Sequence, residues 1–181
     1  MRDIEGIDAV VAKLKPHWPA IEEHFERENR AFISLTRSNH DVIGRVLKCH
    51  LIVEHYLNRF LVANFEIDNF DEVRLTFAQK AQLLPDRASA AAFVKPGIVQ
   101  LNRIRNRFGH SLGAELSAED LGSMRTILNV ARRAAVFDTP IEAIEAFTTV
   151  ACTFLIVAPP PLQQVFSEAF STVAVRAGES E

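Results

Sequence analysis

An all-α fold follows from three features of the 181-residue chain: it holds only 7 glycines, β-branched alternation is scarce, and apolar side chains recur at intervals of three and four. Hydrophobic residues make up 48% and charged residues 24%, a globular balance with material for a core. The length fits one domain with an appended arm. A net charge of -3 argues against a wholesale nucleic-acid coat protein. It leaves room for a local basic site, because phosphate responds to the local field rather than to the sum.

The elements follow in order. A first helix is expected over residues 3–14, stopping before Pro16, and Pro19 suits the first turn of the next. Ile21, Phe25, Phe32 and Ile33 give that helix a patchy apolar side up to about Thr36. Ser38, Asn39, His40 and Asp41 supply N-cap candidates for the strongest helix, which carries Val42 to Leu61 in register and runs to about Asn64. Phe65 to Asp71 reads as a loop. Leu75 to Leu84 marks a shorter helix ending before Pro85, and Ala88 to Phe93 is either a short helix or an ordered loop. Pro96 is expected to open a helix with Ile98, Leu101, Ile104, Phe108 and Leu112 as its stripe. Ser117-Ala-Glu-Asp caps another through Val130, Pro140 starts one through Leu155, and Leu162 to about Val175 forms the last.

The Pro96 helix carries the stretch richest in chemistry, Arg105-Asn-Arg-Phe-Gly-His110. Arginine is a permanent cation able to clamp phosphate oxygens, and histidine exchanges a proton near neutral pH. Arg103, Arg105 and Arg107 gather three cations in five residues, and Asn102 and Asn106 add carboxamides suited to phosphate or base edges. On the helical wheel Asn102, Asn106 and His110 stack at spacing four, whereas Arg105 and His110 diverge by about 140°. They can face one target only if the helix breaks at Gly109, or if two subunits each contribute one of them to a shared cleft. The bland alternatives are a solvated arginine flank and a histidine that caps a helix C-terminus.

The pattern Leu101-x-x-Ile-Arg-Asn-x-Phe-Gly-His110 resembles the signature of HEPN domains. Two earlier segments fall in the matching order: the long helix around Val46 to Leu61, and Leu75-Thr-Phe-Ala-Gln-Lys-Ala-Gln-Leu-Leu84, which is similar to a segment of HEPN-like and mannitol-operon-repressor-like proteins. The resemblance covers roughly residues 40 to 135. It implies an up-and-down helical bundle that dimerises with two motif helices facing one groove. The chain then divides into an N-terminal arm (1–37), an HEPN-like bundle (38–135) and a C-terminal helical extension (136–181) that packs on the bundle or on a dimer partner.

Active members of that family are metal-independent endoribonucleases, some of toxin or defence type, and others are regulators without catalysis. The resemblance gives Arg105, Asn106 and His110 catalytic roles. Arg103, Arg107, Asn102 and Lys80 become candidates for RNA or phosphate contacts, Lys80 having a purely structural alternative. It also implies a homodimer and, as further partners, RNA and an antitoxin or regulatory protein. His50, Glu54 and Asn58 form a polar seam on the long helix; Glu54 serves either to fix the Arg105 guanidinium or as a buried ion pair or dimer seam. His50, Glu54 and His55 lack further ligands by spacing, so no metal is expected, and no motif calls for a cofactor. No phosphate loop or nucleophile elbow occurs. Cys49 and Cys152 lie in apolar stretches and read as buried free thiols. Residues 1–6 lack the apolar run of a signal peptide, and Ala146 to Ala158 is too short to span a bilayer, so a cytoplasmic protein without membrane contact is expected.

Overall fold

A computed structural model describes residues 6–36, 40–65, 73–111 and 113–174, for 31, 32 and 34–36 the backbone alone. It is an all-α helical bundle, and among the described residues there is no strand beyond a single bridge between Arg87 and Ala174. Two compact units divide at Ser38. The first holds α1 (Ile7–Leu14), a 3-10 turn (Lys15–His17) and α2 (Trp18–Thr36). Pro16 and Pro19 therefore sit in and just after one tight turn, with helix on both sides of it. The start expected at residue 3 lies outside the described residues, as do the cap candidates Ser38 and Asn39, the loop beyond Phe65, Leu112 and the tail from 175.

The second unit contains α3 (His40–Phe65), α4 (Phe77–Gln82), α5 (Ala90–His110), a 3-10 turn (Ala118–Leu121), α6 (Gly122–Ala131), α7 (Pro140–Leu155) and α8 (Pro160–Phe170). The expected α4 is shorter than its apolar pattern. Its capping box, Thr76 with Gln79, fixes the start at Phe77, and Leu83 leaves the helix before Pro85.

One boundary departs from expectation. Pro96 does not open α5; it lies inside it, and the alanine-rich stretch forms the first turns behind Ser89, whose hydroxyl caps Ala91 N–H at 3.2 Å. A proline in a helix interior costs about 3 kcal/mol through a lost hydrogen bond and a ring clash. Ala91, Ala92, Val94 and Ile98 on either side of it are fully buried, and that burial holds the backbone helical.

The C-terminal stretch also plays a larger part than an extension. α7 packs against α3, α5 and α6, and Ile141, Ile144, Phe147, Ala151 and Leu155 supply the middle of the core. Arg45 of α3 ties its face to Glu145 of α7 through two bonds of 2.8 and 2.9 Å. α8, by contrast, buries no residue. It returns toward the start of α5, where Ala88 N–H donates to Val173 O at 2.8 Å and Phe154 meets Phe170 edge-on. Cys49 and Cys152 are buried free thiols, and burial pushes Cys152 up to about 11. Among the described residues no single helix is long and apolar enough to cross a membrane.

α5 and α7 touch where Gly97 meets Phe147: a methyl at position 97 would overlap the ring. Gly97→Ala should therefore lower stability by about 1–3 kcal/mol despite alanine's better helix propensity. Thermal denaturation followed by circular dichroism checks this; an unchanged or raised melting temperature would contradict the close contact.

Candidate functional site

α5 is buried along one side only as far as Ile104; beyond it Arg105, Arg107, Gly109 and His110 are exposed and Asn106 and Phe108 are half-buried. Packing thus presents the motif as the end of a core helix that emerges into solvent. Gly109 keeps the helix going, since its φ is not left-handed, and the chain leaves the helix at Ser111, whose extended backbone closes the last turn onto Arg107 O. The break that would swing Arg105 and His110 together is absent. Within one chain they stay about 140° apart on a regular helix.

Arg105 donates to Asn106 Oδ1 at 3.3 Å and has no carboxylate partner among the described residues. It borders a shallow apolar pocket lined by Ile43, Val46 and Leu47 of α3 with Phe108 and Gly109. Arg103 is likewise exposed and unpaired among the described residues. His110 ends the helix, where the dipole favours a cation.

Arg107 is placed differently. Its guanidinium grips Asp120 with both arms, one bond at 2.6 Å, and also donates to Glu115 O at 2.8 Å. Asp120 in turn accepts from the backbone and hydroxyl of Ser117, capping the turn that leads to α6. The Arg107 bond, with the Ser117 bonds behind it, holds the Asp120 carboxyl down at about 2. The candidate phosphate ligand is a structural staple in this chain.

Lys80 is also turned inward. It is buried and its Nζ lies 2.6 Å from Glu54 Oε1. Glu54 therefore takes the buried-pair alternative and does not hold Arg105. Asn102 points its Oδ1 at His50 Nε2, 3.3 Å away. Because that oxygen only accepts, Nε2 carries the proton, leaving Nδ1 buried without a partner among the described residues. Burial and the cations around it lower the basicity of His50 against the help of Asn102 and Glu54, and its ring stacks on Phe77 at 3.9 Å. Asn58, the third member of the seam, also has a buried Oδ1 without a partner among the described residues.

Two positioning residues escaped sequence reading. Lys95 is buried, pairs with Asp86 at 2.6 Å and donates to Gln82 O at the end of α4 and to Leu84 O just beyond it. Gln100 accepts from Met124 N–H and donates to Asp120 O, joining α5 to the following turn. The available signal was two isolated polar side chains, Lys95 and Gln100, inside the otherwise apolar run Ala90–Leu101. Among the described residues no group of three or more His, Cys, Asp or Glu could hold a metal ion.

The arrangement leaves Arg103 and Arg105 as unneutralised cations beside Asn106 and His110, on the tip of one helix. No family model matches the chain, and no curated protein or solved structure is recognisably similar to it.

The depressed Asp120 carboxyl carries a pH consequence. Its folded pKa lies below the unfolded value of 3.8, so the stability it contributes is present above that value and is lost as pH falls toward about 2. Asp120→Asn should flatten the decline in melting temperature between those limits, at the cost of a lower melting temperature at neutral pH. A decline as steep as that of the parent chain would show that the pair adds no stability.

Proposed function

We propose that this chain is an HEPN-like, metal-independent endoribonuclease of toxin or defence type, acting as a cytoplasmic homodimer. One observation carries the reading: Arg105 is a solvent-exposed guanidinium with no carboxylate to neutralise it among the described residues, next to Asn106 and on the same helix end as an exposed histidine. A free guanidinium is suited to a phosphodiester and to the extra charge of its transition state. His110 takes the proton of the attacking 2′-hydroxyl, or returns one to the leaving 5′-oxygen, and Asn106 orients the phosphate. Because one chain holds Arg105 and His110 apart, the site in this reading is completed by a second copy. Ile43, Leu47 and Leu51, spaced by four along α3 beside the Arg105 pocket, offer it an apolar seat.

A second reading keeps the basic tip for binding alone, as in an HEPN-like regulator that contacts RNA or an antitoxin or regulatory protein. The engagement of Arg107 and Lys80 in internal ion pairs favours it, since fewer cations remain for a nuclease groove.

Incubation with total RNA in excess chelator separates the two. The nuclease reading expects cleavage that falls by about 10²-fold or more in His110→Ala and in Arg105→Ala, with folding unchanged. Cleavage that persists in both variants would sink it. RNA binding without cleavage, lost in Arg105→Ala, would establish the regulator instead.

A further inference from the structure

The N-terminal arm carries a pattern that the proposed nuclease site does not use. Ile7, Val11, Leu14, Trp18, Ile21, Phe25 and Glu28 alternate at spacings of four and three, and the sequence continues the alternation at Phe32 and Leu35. This is a heptad repeat with Val11, Trp18 and Phe25 at a positions and Ile7, Leu14, Ile21 and Glu28 at d. The helical backbone follows it: Leu14 and Trp18, bracketing the 3-10 turn, keep α-helical dihedrals. Pro16 and Pro19 fall at f and b, on the opposite side from the seam. Yet the seam is open to solvent, with Val11 47%, Trp18 46% and Phe25 65% exposed.

We propose that residues 11–28 pair with the same segment of a second copy as an antiparallel two-stranded coiled coil. Charge and volume select both occupant and direction. In a parallel pair Glu28 would face Glu28 of the second copy inside the seam, Trp18 would face Trp18, and Lys15 would lie opposite Val10. In the antiparallel register centred between Pro19 and Ala20, Trp18 packs on Ile21 and Phe25 on Leu14, each large ring against an aliphatic side chain. Glu28 then meets Val11 at the ends of the paired stretch. Lys15 and Glu22, at the flanking e positions, oppose each other twice by symmetry. The same-chain alternative, in which the seam folds back on its own bundle, has no such self-complementarity.

Cysteine pairs in the full-length chain test this. Leu14 and Phe25 are eleven residues apart, about 16 Å along one helix, so a disulfide between them within a chain is out of reach. Leu14→Cys with Phe25→Cys should give a covalent dimer on mild oxidation, bridged 14 to 25 by peptide mapping, while neither single variant does. Self-linking of Leu14→Cys alone would show parallel pairing, and no link in any variant would show that the arm does not pair with itself; either result overturns the proposal. Trp18, the only tryptophan, gives a second readout. Lys15→Glu and Glu22→Lys should each shift its emission to that of an exposed indole at lower dilution than the parent, and the double exchange should restore it. Failure of the double exchange to restore it overturns the antiparallel register. None of these outcomes bears on cleavage at Arg105 and His110, which is read separately.

Discussion

The contact between the bare backbone at Gly97 and the ring of Phe147 is the constraint on which the bundle depends. Without a side chain at 97, α5 settles close enough to α7 for Ile98, Leu101 and Ile104 to be excluded from water. α7 also meets α3 and α6, so that one crossing aligns the helices of the core. Burial on α5 stops at Ile104. Its last turn leaves the core as a rigid continuation of a buried helix, which is why Arg105 to His110 stand in solvent on an ordered element rather than on a loop.

Charge is apportioned by the same packing. Glu145 goes to Arg45, Glu54 to Lys80, Asp86 to Lys95 and Asp120 to Arg107, each pair fastening one element to another. None of these four acids is spent on Arg103 or Arg105, which have no carboxylate partner among the described residues. A mildly acidic protein acquires a locally positive helix tip, and the local field is what a phosphate meets.

Much of the fold was legible because amphipathic helices advertise themselves at a period near 3.6. α3, α6 and α7 lie close to where their apolar stripes put them, and Ser117 with Asp120 forms the expected capping box. Pro96 misled because proline rules describe a helix alone, whereas here fully buried neighbours on both sides outweigh the penalty. At the candidate site the residue types were legible and their partners were not. Lys80 and Arg107 look like surface cations in one dimension; what fixes them is Glu54, 26 residues earlier, and Asp120, 13 residues later. The place of α7 at the centre of the core was hidden for the same reason, since its distance from the motif in sequence says nothing of its proximity in space.

Asp120 joins two features usually kept separate: it starts one helical turn through Ser117 and holds the end of another through Arg107. Arg107 and Asp120, which flank the stretch 111–116, are thus bound directly to each other. Insertions or deletions inside that stretch can be absorbed without reorienting Asn106 or His110, because closing a longer flexible loop between fixed ends costs only slowly growing entropy. Homologues of this chain should therefore vary in length there more freely than at the α4–α5 connection, where Lys95 reads individual carbonyl positions. For the same reason the stretch is a natural place to graft a tag or a reporter peptide beside the motif.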